Sequence, residues 1–301
     1  MMAVPDWIMA GDNGSIDDVI QMEFGFLNVT EKTREAYKAF LDGDHLTGNL
    51  FYVRAFYRRF QPSANDWQRG IRLPYPIDAG VARLLGLVWS RGIIKKSSNG
   101  EMNFINVQGR RFDTPLFEEF VAQAFSELFN LEKKVGEVAF RIPSEYQSAN
   151  GNREVRRPYV AVASSAIAGF LINDLRIPLA HPHVRQRLPW LGRGVFAQNF
   201  FEGVLAGSGT FYNNHGRPAI QFNSINPAYT NSIADLLANL HVEPTVRICT
   251  NTSGNHSTKV TVYSGATQAL LDRVDVLNPH HRRYLSERFS HTIPELSAFP
   301  A

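Results

Sequence analysis

Apolar residues run almost unbroken through two separate stretches of the chain. The first is Ile77 to Gly92 (IDAGVARLLGLVWSRG) and the second is Gly194 to Gly209 (GVFAQNFFEGVLAGSG). Each predicts a buried helix with an internal glycine, closing on a glycine that suits a helix C-terminus. The elements downstream of each stretch also match, and self-similarity is the first feature to seek in a sequence. After the second stretch, alternation predicts a hairpin with strands Gly209–Tyr212 and Pro218–Ile225 around Asn213-Asn214-His215-Gly216. An amphipathic helix over Pro227–Leu240 comes next. A second hairpin pairs Thr245–Thr250 with Thr258–Tyr263, and a helix covers Ala266–Val276. After the first stretch the same order recurs. Strands Ile93–Ile94 and Met102–Val107 flank Ser98-Asn99-Gly100, followed by a helix over Pro115–Leu131. Then come strand Gly136–Ile142, a long loop, strand Tyr159–Ala163 and helix Ala166–Asp174. Each unit reads α-β-β-α-β-β-α.

The residues before this duplication read differently. Thr30-Glu31-Lys32 opens a helical segment with Tyr37, Phe40 and Leu41 at helical spacing. Leu50 to Phe60 (LFYVRAFYRRF) is aromatic and basic together, and reads best as an amphipathic helix packing its own aromatics. Breaks come at Pro62-Ser63-Ala64-Asn65 and at Pro74-Tyr75-Pro76. The expected organisation is a helical N-terminal segment (1–75), a first repeat (76–180) and a second repeat with a C-terminal helix (181–301).

Composition narrows the picture without deciding it. At 301 residues and 44% hydrophobic, the chain can bury one large core or two modest ones. The net charge of +3 neither requires nor forbids a polyanionic partner, since local clustering governs that. A single cysteine, Cys249, excludes an internal disulfide and a cysteine-based zinc site. No run approaches ~18 uninterrupted apolar residues, so no membrane span is expected. The first fourteen residues carry Asp6 and Asp12 and no Lys or Arg, unlike a secretion or transit signal. An intracellular location of unspecified compartment is the expectation.

The head of each unit resembles the motif of the LAGLIDADG homing endonuclease family, Leu-Ala-Gly-Leu-Ile-Asp-Ala-Asp-Gly. The first copy is Leu84-Leu85-Gly86-Leu87-Val88-Trp89-Ser90-Arg91-Gly92 and the second is Phe201-Glu202-Gly203-Val204-Leu205-Ala206-Gly207-Ser208-Gly209. Gly86, Gly92, Gly203 and Gly209 match, with most apolar positions, and the resemblance covers roughly residues 76 to 276. It implies an α+β fold of two pseudo-twofold related units forming a saddle-shaped antiparallel sheet. The two motif helices would lie side by side, with Gly86 and Gly203 letting their backbones approach. It also implies a monomer by internal duplication, with duplex DNA on the concave face of the sheet. The family's chemistry needs an acidic residue at the eighth motif position of each copy, to hold divalent metal at the scissile phosphates. Here those positions are Arg91 and Ser208. Arginine cannot ligate Mg²⁺, and a lone serine hydroxyl is a weak ligand. Glu202 precedes Ser208 by six residues and so points elsewhere. The resemblance therefore implies a binder that has lost cleavage, with no metal and no cofactor.

Candidate contacts to nucleic acid come from strand alternation. Arg247, Lys259, Thr261 and Tyr263 alternate with Val246, Ile248, Val260 and Val262. Gln221 and Asn223 alternate with Ile220 and Phe222; such amides can pair with adenine. The first unit offers Asn106, Gln108, Arg110 and Arg111, with Lys95 and Lys96 just past the first motif. A loop from Asn150 holds Arg153, Arg156 and Arg157. Taken strand by strand, these are also what ordinary solvated strand faces look like; the repeat context favours contact. His181, His183, His280 and His281 lack the accompanying ligands of a zinc site, and His280-His281-Arg282-Arg283 suits a basic helix start near phosphate. Other readings stay open: a maturase-like factor on structured RNA, a structural subunit of a larger nucleoprotein assembly using the saddle against protein, or an active endonuclease if the motif alignment is wrong. Residues 1–75 are a separate candidate surface for a protein partner.

Overall fold

The computed structural model describes residues 31, 34, 35, 64–71, 79–96, 103–141, 154–174, 194–250 and 256–289. Arg153, His181, His183 and the Leu50 to Phe60 segment lie outside these residues. So does most of the helix predicted from Thr30, although Glu31, Arg34 and Glu35 are helical, with an Arg34–Glu31 ion pair at 2.6 Å.

In chain order, a short helix α1 (Ala64–Arg69) precedes the duplicated part. It starts inside the Pro62 to Asn65 stretch expected to be a break. It packs on the first repeat: Arg69 donates to the Ala163 carbonyl at 3.2 Å, and Asp66 accepts from the Ala166 amide at 3.3 Å. Ile71 is fully buried in the common core.

The first repeat comprises α2 (Ala79–Arg91), β1 (Gly92–Lys96), β2 (Asn103–Gln108), α3, β3 (Gly136–Arg141), β4 (Glu154–Ala163) and α4. Helix α3 runs Thr114–Leu116, passes through a π-helical turn Phe117–Val121, and continues as Ala122–Phe129. Asn130 ends it in the left-handed region (φ 51°), and its side chain donates to the Gly70 carbonyl at 3.0 Å. Helix α4 (Ser165–Gly169, then the π turn Phe170–Asp174) starts at Ser164, whose hydroxyl accepts from the Ile167 amide.

The second repeat keeps the same order: α5 (Gly194–Ser208), β5 (Thr210–Asn214), β6 (Arg217–Ser224), α6 (Pro227–Asn239), β7 (Thr245–Thr250), β8 (His256–Val262) and α7 (Ser264–Leu271). A last helix α8 (Pro279–Phe289) closes the described chain. The β5–β6 turn is the two residues His215 and Gly216, both at positive φ (53° and 83°), the geometry of a tight hairpin. Asn226 caps α6 by accepting from the Ala228 amide, with Pro227 at the first helical position.

Each repeat builds its own four-stranded antiparallel sheet, ordered β1-β2-β4-β3 and β5-β6-β8-β7. Strand alternation sends Ile105, Val107, Val160 and Val162 of the first sheet into the core, with Ile220, Phe222, Val260 and Val262 of the second. One apolar cluster spans both repeats through α2 and α5. Trp89 of α2 stacks on Tyr229 of α6 with ring centroids 4.6 Å apart, and also lies 6.0 Å from Phe200 of α5.

Three local expectations are corrected. Arg156 and Arg157 lie in β4 and not in a loop, because the backbone from Glu154 already pairs with β3 (Arg157 opposite Val138, Arg156 opposite Ala139). The helix expected over Ala266–Val276 ends at Leu271. Beyond it the Asp275 amide donates to buried Glu202 at 2.9 Å, and Asn278 bonds Asp113 and the Ala206 carbonyl, so tertiary partners draw the chain out of the helix. Finally, Gly92 and Gly209 do not adopt a left-handed cap. A Cβ on Gly209 would press on the Leu205 carbonyl oxygen, and one on Gly92 on that of Val88, so space is the reason for glycine there.

Candidate nucleic-acid interface

Helices α2 and α5 touch along their backbones. A Cβ on Gly86 would fall inside the Phe200 carbonyl oxygen and within 3.0 Å of the Val204 amide nitrogen. A Cβ on Gly203 would collide with the Arg83 carbonyl oxygen and lie 2.7 Å from the Leu87 amide nitrogen. Glycine at both positions is what permits this crossing. Beside it, the Glu202 carboxylate, 1% exposed, accepts from Arg83 Nε at 2.6 Å, and Arg83 also reaches Asp275 at 2.6 Å. Glu202 thus binds the two helices together and does not stand at the helix ends.

Those ends are occupied by cations and hydroxyls. Arg91 Nε donates to the Gly207 carbonyl of the opposite helix. Ser208 Oγ donates to the Val204 carbonyl at 3.0 Å and accepts from the Tyr229 hydroxyl at 2.7 Å. Arg110, from the loop after β2, crosses to the second repeat. Its guanidinium donates to the Ser208 carbonyl, to the Gly209 carbonyl at 2.8 Å and to Thr210 Oγ1 at 3.0 Å. A helix C-terminus carries partial negative charge, so Arg91 and Arg110 neutralise what the backbone leaves there. Burial pulls the Arg110 guanidinium below its ordinary value, countered in part by Asp113 and Tyr229. Among the described residues no three or more His, Cys, Asp or Glu side chains cluster as a metal site would require. The carbonyls and hydroxyl present at the helix ends already hold donors, so this donor set does not fit a divalent cation.

The second sheet brings most of its predicted contact residues together. Across β7, β8 and β6, Arg247 pairs with Lys259 and Lys259 with Asn223. One step along, Thr245, Thr261, Gln221 and Thr210 make a row through all four strands. These rows lie on the face opposite the core residues Val260 and Phe222, where Arg247, Asn223 and Thr210 are exposed. Thr261 is covered by its neighbours in the sheet. Tyr263, just past β8, is half-buried and hydrogen-bonded to Tyr212. Burial and that neighbour raise the Tyr212 hydroxyl above its ordinary value, with Arg247 pulling it down. Thr210, Thr245 and Tyr212 were missed in the sequence, although the same two-residue parity marks them.

The first sheet is less orderly. Asn106, opposite Ile93 and Ala161, is 8% exposed, and its Oδ1 has no hydrogen-bond partner. Gln108, opposite Tyr159, is half-buried on the same face. Arg157 shares that parity and is exposed. Arg156 falls on the other face, 3.4 Å from Glu137. Lys95 and Lys96 occupy the register positions opposite Phe104 and Asn103, so only Lys95 shares the parity of Asn106. Arg111 is exposed, with its guanidinium 5.4 Å from the Phe112 ring centre. No helix among the described residues is long and apolar enough to cross a membrane.

No known family profile matches the chain, and no curated protein does. Among solved structures, a mesophilic variant of the homing endonuclease I-DmoI is similar at 16% identity, covering 66% of this chain and 98% of that one, with a TM-score of 0.42. The N-terminal LAGLIDADG domain of DUF199/WhiA is similar at 12% identity, covering 66% and 81%, with a TM-score of 0.40. The homing endonuclease I-WcaI, bound to its DNA recognition sequence, is similar at 10% identity, covering 69% and 85%, with a TM-score of 0.44. Two glycine-bearing helices cross backbone to backbone, each heading an α-β-β-α-β-β-α repeat around its own four-stranded sheet, which is the arrangement expected from the motif resemblance.

Proposed function

We propose that the chain is a nucleic-acid-binding protein that lays duplex DNA on the open faces of its two sheets and does not cut it. The observation that carries this reading is the pair of cross-strand polar rows on the second sheet, Arg247–Lys259–Asn223 and Thr245–Thr261–Gln221–Thr210. Cations beside amides and hydroxyls on a flat strand face combine phosphate attraction with donors and acceptors for base edges. Arg157 and Gln108 extend the surface on the first sheet. One chain supplies both halves, so a monomer suffices.

Replacing Arg247 and Lys259 together by alanine is expected to weaken duplex binding at low salt. If both meet phosphates, the plot of log affinity against log salt concentration loses about two from its slope. An unchanged slope would remove these residues from the interface. Structured RNA binding more tightly than duplex DNA at equal salt would transfer the reading to an RNA partner.

The non-cleaving half of the proposal rests on Arg91, Arg110, Ser208 and Tyr229 at the helix ends. Two guanidinium groups there repel a divalent ion and take up the backbone oxygens. Bound duplex incubated with Mg²⁺ or Mn²⁺ is expected to stay intact on a denaturing gel, and the melting temperature of the protein to stay unmoved by either metal. Metal-dependent nicking by the purified protein overturns this half.

A further inference from the structure

The loop after β2, the start of β5 and helix α8 meet around a cleft of about 250 Å³. Five of its eight lining residues carry rings: Phe112, Phe211, His280, His281 and Tyr284. The rings are arranged in pairs. Phe112 is 57% exposed, yet lies nearly parallel to His280, with centroids 5.1 Å apart and an angle of 19°. Phe211 meets His281 edge to face at 5.2 Å. His281 is 5% exposed, and its Nδ1 has no hydrogen-bond partner. A buried polar atom left unpaired is costly, and such exceptions in a native fold call for an explanation. Burial, followed by the charges of Arg110, His280 and Arg91, pushes the His281 imidazole down to about 3, so the ring is neutral. A neutral imidazole offers one donor and one acceptor.

The chemistry of the lining selects the ligand. The Arg110 guanidinium beside the cleft already gives three of its five N–H donors to the Ser208 and Gly209 carbonyls and to Thr210, so few remain for a simple anion. Ring walls suit a flat heterocycle that stacks, and the unpartnered nitrogen of His281, buried in that wall, offers a polar group to a hydrogen-bonding edge if the ring turns toward it. The volume lies just below that of ordinary ligand clefts, about 300–1,000 Å³, which fits a single ring system. Thr210 lines the cleft and also belongs to the four-strand polar row, so the cleft borders the open face of the second sheet.

We propose that the cleft between Phe112 and His281 is a subsite for one nucleobase, supplied either by a strand lying on the adjacent sheet or as a free nucleotide. The first source rests on the nucleic-acid reading above; the second does not. Moving a base from a duplex into a side pocket costs least where the base is already unpaired. The probes are therefore duplexes carrying one mismatched base at successive positions, each matched by a duplex with an abasic residue at the same position. Mononucleotides of the four bases form the second arm. Wild type is compared with Phe112→Ala, an exposed site whose truncation spares the core, and with His281→Leu, which keeps an apolar filling and removes the polar edge. Circular dichroism confirms that each variant is folded.

The expected result is one position at which the mismatched base binds on the order of tenfold more tightly than the abasic residue, with the preference erased in Phe112→Ala and reduced in His281→Leu. Mononucleotide binding lost in both variants, without a positional preference in duplexes, assigns the cleft to a free nucleotide. No positional preference and no mononucleotide binding overturns the proposal. If duplex affinity persists in that case, the cleft alone is refuted and the sheet reading stands. If duplex does not bind at all, the sheet reading fails and the mononucleotide arm still decides the cleft.

Discussion

Replacing Gly203 with alanine is expected to destabilise the protein by about 3 kcal/mol, the upper end of ordinary overpacking. The added methyl would meet the Arg83 carbonyl oxygen and the Leu87 amide nitrogen, both backbone atoms of the facing helix. A side chain in the way could change rotamer, whereas a backbone can yield only if the helices part. Parting them would loosen the contacts of Phe200, Val204, Leu84 and Val88, all buried in the shared core. Gly86→Ala should behave alike, because its methyl meets the Phe200 carbonyl and the Val204 amide. Gly265 gives a control of opposite sign. It lies in α7 with nothing within 4 Å of a built Cβ, so Gly265→Ala is expected to gain up to ~1 kcal/mol from helix propensity. Urea unfolding midpoints measure all three. A Gly203→Ala midpoint equal to that of the parent protein would mean that the helices do not cross backbone to backbone.

Arg83→Ala is expected to cost about 3–5 kcal/mol, the range found when one partner of a buried ion pair is removed. Glu202 is 1% exposed, and Arg83 Nε at 2.6 Å is its cationic partner. Without it the carboxylate keeps the Asp275 amide at 2.9 Å, one hydrogen bond against the desolvation of a full charge. The double replacement Arg83→Met with Glu202→Leu is expected to recover most of the loss, since an apolar pair leaves no buried charge. Denaturant titration of Arg83→Met, Glu202→Leu and the double variant closes the cycle. A double variant no more stable than Arg83→Ala would show that the ion pair holds the crossing geometry itself, beyond balancing a charge.

The motif helices were legible because glycine inside an apolar helix is unfavourable and needs a reason, and Gly86 and Gly203 supply the same reason twice. The strands β6 and β8 were legible because Gln221, Asn223 and Lys259 alternate with the core residues Ile220, Phe222, Val260 and Val262 at a period of two, whereas Arg247 of β7 stands between Val246 and Ile248, both exposed. Arg110 was not. A cation at a strand end looks the same in sequence whether it meets a phosphate or the carbonyls of a helix more than ninety residues away. The end of α7 at Leu271 was hidden for a similar reason, because Glu202 and Ala206 act on Asp275 and Asn278 through space. Arg156 and Arg157 read as loop because β4 enters the sheet through charged residues, while its pairing with β3 is made by the backbone. The cleft draws residues from three distant segments, so no local pattern announces it.

The backbone crossing of α2 and α5 also bears on how the chain is made. Helix α2 presents Leu84, Leu87 and Val88 to a partner that ends on the order of a hundred residues later. At the usual ~5–20 residues per second, α2 leaves the ribosome on the order of ten seconds before Ser208 does. During that interval the glycine-lined face of α2 has no helix to meet. A nascent chain halted before Gly194 would carry that apolar face uncovered, as a surface for chaperones or for another unfinished copy.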